Sequence, residues 1–109
     1  MTHSQLIARL EQLTGPDREV NADLWLHLFK GKQFDTVASG QPFTASVDAA
    51  LALAEKVLPG HGIEIASRTD GRHEAIVYPK GAYNAQTAFG ASIPIALCKA
   101  ILKAHGASK

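Results

Sequence analysis

The chain has few of the residues on which several classes of small protein depend. Its single cysteine, Cys98, excludes an intrachain disulfide framework and a cysteine-based zinc cage. Eleven lysines and arginines against ten aspartates and glutamates leave a net charge of +1, which excludes a strongly basic nucleic-acid binder or a polybasic membrane module. No segment approaches the roughly 18–20 apolar residues of a membrane span. Because no basic region followed by an apolar stretch opens the chain, we expect no export signal and a cytoplasmic location.

The chain is rich instead in small apolar side chains. Hydrophobic residues make up 46% of its 109 residues and 18 of them are alanine, whereas aromatic residues make up 6%. This composition is typical of a folded protein, and the length fits one domain over residues 1–109. Since alanine-rich surfaces let elements approach closely, we expect helices packed tightly on a small sheet.

Apolar periodicity and capping residues predict four helices. The first has leucines at positions 6, 10 and 13 on one face and stops before Gly15. The third follows Ser46, a favoured N-cap residue, and has an acidic first turn. The fourth carries Pro94 in its first turn, where a missing N–H does no harm. The predicted ranges are about 3–13, 21–30 with Asn21 as the N-cap, 47–58, and from near Ser92 to Gly106.

A β-hairpin and a third strand complete the predicted elements. Asp70-Gly71 between two apolar stretches indicates a two-residue turn, and this turn pairs Ile65 with Ile76 and Ile63 with Tyr78. Alternating residues over 83–89 predict the third strand, and a weaker alternation within 32–41 allows a short edge strand. The element order therefore predicts an α+β fold with a small, mainly antiparallel sheet.

The motifs of common enzyme classes are missing. The chain contains neither a Gly-x-Ser-x-Gly elbow nor a phosphate-binding glycine loop, and Cys98 is better explained as a core residue than as a nucleophile. In the predicted hairpin, His61 and His73 are roughly 20 Å apart at about 3.3 Å per strand residue, which argues against a shared metal. We therefore expect no catalytic residue, no cofactor and no metal.

Two polar stretches are the best candidates for a ligand site. Residues 14–19 include Asp17 and Arg18 and precede the second helix; residues 44–48 include Ser46 and Asp48 and open the third. Arg18 would hold an anionic group at a pocket rim, or would pair with a nearby carboxylate in an ordinary interhelical turn. Free N–H groups at a helix start attract anions, but Asp48 already occupies that position. His61 is the remaining candidate.

The same two stretches carry a resemblance to a known family. Residues 14–19 (Thr-Gly-Pro-Asp-Arg-Glu) and 43–53 (Phe-Thr-Ala-Ser-Val-Asp-Ala-Ala-Leu-Ala-Leu) resemble the opening and the signature of the bacteriophage ABA sandwich domain family. Residues 94–104 are similar to its closing helix, although Phe43 stands where the family often has tyrosine. The resemblance implies an α/β/α layering and a phage or prophage origin, and it implies no catalytic residues.

These observations leave three functional hypotheses. The first is a small non-enzymatic accessory or binding protein that forms a homo-oligomer through its alanine-rich surfaces. The second is a protein that binds, or an enzyme that acts on, a small anionic ligand or nucleotide, using Arg18 with Ser46, Asp48 or His61. The third and weakest is a nucleic-acid partner that uses Lys99 and Lys103, which are predicted on the outer face of the last helix. No membrane partner is expected.

Overall fold

The computed structural model of the chain describes residues 3–28, 42–58, 60–67, 71–78 and 85–107. These residues form four helices and one three-stranded antiparallel sheet, which confirms the predicted α+β class. The short strand allowed within 32–41 lies outside the described residues. In chain order the elements are α1 (His3–Gln12), α2 (Arg18–Leu28), α3 (Val47–Val57), β1 (Gly62–Ser67), β2 (His73–Tyr78), β3 (Gln86–Gly90) and α4 (Ile93–Ala107).

Local capping sets the start of three helices, one of them against the prediction. Ser46 caps α3, as predicted, by accepting a hydrogen bond from the Ala49 N–H. Ser92 directly precedes α4, and its hydroxyl accepts from the Ile95 N–H. The prediction for α2 is wrong: the helix starts at Arg18, not after Asn21, because the Asp17 carboxylate accepts the Val20 N–H.

The hairpin between β1 and β2 has a different register from the predicted one. Ile65 lies opposite Ala75 and Ile63 opposite Val77, so every partner is shifted by one residue. Ser67 pairs with His73, an alignment that differs by one residue from the one that a two-residue Asp70-Gly71 turn produces. Residues 68–70 lie outside the described residues. Because side chains alternate between the two faces of a strand, this shift moves Ile76 and Tyr78 to the face opposite Ile63 and Ile65.

The α4 helix explains why the sheet adopts this register. It packs on β2 and β3 and, to a smaller extent, on β1. The face that it covers carries the small buried residues Ala75, Val77 and Ala88. Gly90 allows the closest approach, since a Cβ at this position would lie 2.8 Å from the Ala96 nitrogen.

The remaining helices lie behind α4. Both α1 and α3 pack against α4, and α2 packs against α1. Among the described residues the layers are therefore the sheet, α4, and then α1 with α3, so helical cover is described on one face of the sheet. The core between these layers includes Leu6, Leu10, Leu53 and Ile101, all at most 1% exposed. No helix in the described part of the chain is long and apolar enough to span a bilayer.

Candidate functional site

The two polar stretches singled out from the sequence meet at Thr44. The Asp17 backbone N–H donates to the Thr44 hydroxyl oxygen at 2.9 Å, and this hydroxyl donates to Asn21 Oδ1 at 2.7 Å. The Thr44 N–H donates to the same Asn21 oxygen at 2.9 Å. Thr44 is 1% exposed and Asn21 8%. This buried network, the Thr44 clasp, joins the start of α2 to the turn before α3.

Neither Thr44 nor Asn21 was singled out as a site residue from the sequence: Thr44 lies in the candidate stretch 44–48, and Asn21 was predicted only as a helix cap. A buried threonine that contacts residues 23 and 27 positions away leaves no periodic or spacing signal. The signal that did exist, the Thr-Gly-Pro-Asp-Arg-Glu stretch, pointed to the neighbouring Asp17. Buried polar groups require partners, and here the partners are one another.

Within the clasp, Asp17 caps a helix. Its carboxylate oxygen accepts from the Val20 N–H at 3.0 Å, and its carbonyl accepts from the Asn21 N–H at 3.0 Å. Arg18, the first residue of α2, is exposed. Asp17 therefore stabilises the helix start with the groups that would otherwise be offered to a ligand.

Ser46 and Asp48 similarly serve the start of α3. The Ser46 hydroxyl accepts the Ala49 N–H at 3.2 Å, and the exposed Asp48 lies in the first turn, where the helix dipole favours negative charge. The N–H groups that would attract an anion are thus partly satisfied and lie next to a carboxylate. This arrangement weakens the helix start as a phosphate site.

His61 lies at the other end of α3. Its N–H donates to the Leu58 carbonyl at 3.2 Å, just after the helix ends. Because α3 has 11 residues and rises about 1.5 Å per residue, its ends are about 16 Å apart. Both ring nitrogens of His61 are buried, and neither has a hydrogen-bond partner among the described residues. The structure therefore brings Asp17 close to the Ser46 turn and leaves His61 apart from both.

Cys98 is a buried core residue, as predicted. Its side chain is 0% exposed and its thiol donates to the Phe43 carbonyl at 3.3 Å. Burial raises the pKa of the thiol to about 12. Since the thiolate is the reactive form, Cys98 is unsuited to nucleophilic chemistry.

Lys99 and Lys103 bind the backbone of β3, and the prediction that Lys99 lies on an outer face is wrong. The Lys99 ammonium donates to the Phe89 carbonyl at 2.7 Å, and the Lys103 ammonium donates to the Thr87 carbonyl at 3.0 Å. Lys99 is 7% exposed. Desolvation lowers its pKa, opposed by the nearby Glu11 carboxylate at 3.7 Å. These lysines cover the free edge of β3 and are poorly placed for nucleic acid.

The sheet face opposite α4 carries polar and aromatic contacts. The Tyr78 hydroxyl donates to the Glu64 carboxylate across β1 and β2. This hydrogen bond is the main cause that raises the pKa of Tyr78 above its usual value. At the hairpin end, the Arg72 guanidinium lies 4.8 Å from the Phe89 ring centre, which is cation–π distance.

A shallow depression of about 530 Å³ lies on α1 and is lined by Gln5, Ala8, Arg9 and Gln12. Among its described lining residues Arg9 carries the positive charge, and the Arg9 guanidinium is 3.8 Å from the Asp23 carboxylate on α2. A guanidinium that faces a carboxylate is a weak anion site. No group of three or more histidine, cysteine or acidic side chains in the described ranges could hold a metal ion.

Comparisons of the chain with protein-family models, with curated proteins and with solved structures give no match.

Proposed function

We propose that the chain is a small, non-enzymatic accessory or binding protein of phage or prophage origin that self-associates in the cytoplasm of a bacterial host. The origin rests on the resemblance of residues 14–19, 43–53 and 94–104 to the phage family. The proposal of self-association is supported by the exposure of one outer strand of the sheet.

The observation that carries self-association is the difference between the two edges of the sheet. The carbonyls of the outer strand β3 accept hydrogen bonds from Lys99 and Lys103. In β1, the other outer strand, five of six residues are exposed, and Ile65 is 45% exposed. Natural proteins protect the edges of their sheets, and an exposed apolar strand that has only β2 beside it among the described strands favours pairing with another strand. A homo-oligomer removes this exposure.

Sedimentation velocity of the purified chain, from micromolar to sub-millimolar concentration, tests this proposal. We expect the weight-average mass to rise with concentration toward that of a dimer. A mass that stays at 11.6 kDa over the whole range would refute self-association.

The alternative, a site for a small anion or nucleotide, receives less support from the geometry. Asp17 and Ser46 use their side chains as helix caps, and His61 is at the far end of α3. Isothermal titration with phosphate and with a nucleotide tests the alternative. Binding that Arg18→Gln abolishes would restore it.

A further inference from the structure

The hydrogen-bonding direction of each strand follows from two independent observations. Gly62 and Tyr78 form the last pair of β1 and β2, and residue 79 is proline, which has no N–H. In a non-hydrogen-bonded pair, the hydrogen bonds are made by the flanking residues, and here one of these bonds would need an N–H at position 79. Because proline cannot supply it, Gly62 and Tyr78 form a hydrogen-bonded pair and exchange their own N–H···O=C bonds.

The lysines on α4 give the same answer from the other side of the sheet. In antiparallel strands, hydrogen-bonded and non-hydrogen-bonded pairs alternate along the ladder. If Tyr78 points its backbone groups at β1, then Val77 points at β3 and exchanges bonds with Gln86. Thr87, the next residue, must then point its carbonyl outward, and this carbonyl accepts the Lys103 ammonium.

The same alternation identifies the backbone groups on the free side of β1. Gly62, Glu64 and Ala66 bond β2, so Ile63, Ile65 and Ser67 point their N–H and C=O groups away from the sheet. We call the outward backbone groups of these three residues the β1 edge. Glu64 is the one charged residue of the strand, and its carboxylate accepts from Tyr78 on the sheet face opposite α4.

A second copy of the chain fits the β1 edge in one register better than in the others. Centring a two-fold antiparallel pair on Ile65 lets Ile65 bond its counterpart and lets Ile63 bond Ser67 of the other copy, so all three outward residues are satisfied. Centring on Glu64 would place like charges directly opposite, which is destabilising. Centring on Ala66 leaves Ile63 without a partner. The net charge of +1 imposes little repulsion between copies.

We infer that two copies of the chain pair through the β1 edge, with Ile65 opposite Ile65, to form one continuous six-stranded sheet. This inference rests on the self-association proposed above and specifies its surface and register. The two exposed Ile65 side chains meet on the face that carries α4 and shield each other from water. Since β1 has six residues, far fewer than the roughly 20–30 per side of a standard interface, the dimer is weak and dissociates on dilution.

A charged residue at position 65 tests whether the β1 edge is the dimer surface. Ile65→Lys places two ammonium groups opposite each other, a device that protects natural edge strands, and should weaken dimerisation by about tenfold or more. Leu26→Lys makes the same change at an exposed leucine on α2, 59% exposed, and should leave dimerisation unchanged. Circular dichroism and urea unfolding establish that both variants fold.

Cysteine substitution tests the register. In a hydrogen-bonded antiparallel pair the Cα atoms are about 5.5 Å apart, within disulfide range, so Ile65→Cys should form a covalent dimer under mild oxidation. Ser67→Cys should not, because the two Ser67 positions are four residues out of step, about 14 Å apart along the strands at about 3.4 Å per residue. Wild-type chain, with buried Cys98 alone, controls for cross-linking at that thiol.

The outcomes separate this inference from the proposed function. A wild-type chain that stays monomeric overturns both. A wild-type dimer that Ile65→Lys does not weaken, and that Ile65→Cys does not cross-link, overturns the β1 edge and leaves self-association standing. A covalent dimer from Ser67→Cys but not from Ile65→Cys overturns the register.

Discussion

Replacing Thr44 with valine removes one hydroxyl from the Thr44 clasp and keeps the shape of the side chain. The Asp17 N–H loses its acceptor at 2.9 Å, and Asn21 Oδ1 loses the hydroxyl donor at 2.7 Å. Asn21 keeps its bond from the Thr44 backbone N–H. The substitution thus deletes these two hydrogen bonds, together with the longer contact of 3.4 Å from the hydroxyl to the Asp17 carbonyl, and opens no cavity.

The expected loss of stability follows from these two bonds. Each contributes about 0.5–1.5 kcal/mol net, and a buried donor left unsatisfied costs about 1–3 kcal/mol. We therefore expect Thr44→Val to lower the free energy of unfolding by about 2–3 kcal/mol. For a domain near this size, each kcal/mol corresponds to about 4–8 °C in Tm.

Urea unfolding followed by far-ultraviolet circular dichroism measures the loss. Thr14→Val is the matched control, because Thr14 is exposed and surface substitutions usually change stability by less than about 0.5 kcal/mol. An Asn21→Ala variant and the double variant complete a cycle, and we expect a coupling energy above about 0.5 kcal/mol because the residues touch. A Thr44→Val chain as stable as the control would refute a stabilising role for the clasp.

Three further predictions follow from individual contacts. Gly90→Ala should destabilise the fold by about 1–3 kcal/mol, since the new Cβ would lie 2.8 Å from the Ala96 nitrogen; unchanged urea unfolding would contradict this close approach. The pKa of Tyr78 is raised in the folded state, chiefly by its hydrogen bond to Glu64. The stability that this hydrogen bond contributes is therefore present below pH 10 and is lost as the pH rises through the raised pKa. Replacing Tyr83 with phenylalanine leaves Tyr78 as the one tyrosine of the chain. In that background, ultraviolet titration should show that Glu64→Gln lowers the pKa of Tyr78. Cys98, buried with a pKa of about 12, should resist iodoacetamide at pH 8 until urea unfolds the chain, and rapid native labelling would contradict its burial.

Helix capping is the part of this fold that sequence reasoning reached most directly. Ser46 and the Ala49 N–H that it binds are three residues apart, so the helix start was readable from the local residues. For α2 the same reasoning chose Asn21, because Asn and Asp are both good caps and nothing local ranks them. The structure caps α2 with Asp17 and uses Asn21 to hold Thr44.

The candidate site was also predicted in part from the sequence and in part only seen in the structure. The sequence indicated that the stretches around Asp17 and Ser46 matter, and the structure joins them through Thr44. The predicted helix over 47–58 already separated Ser46 from His61 by its whole length, as in the structure. The sequence could not show that Lys99 is buried against β3.

The sequence by itself determined the helix order, the antiparallel hairpin and the burial of Cys98, because periodicity and capping act over a few residues. Tertiary structure decided the hairpin register: Asp70-Gly71 is compatible with more than one loop length, and packing under α4 selected the alignment that places Ala75 and Val77 inside. That one-residue choice also determines which backbone groups of β1 face outward. Whether this edge is free for a second copy is therefore a property of the folded sheet and not of the strand sequence.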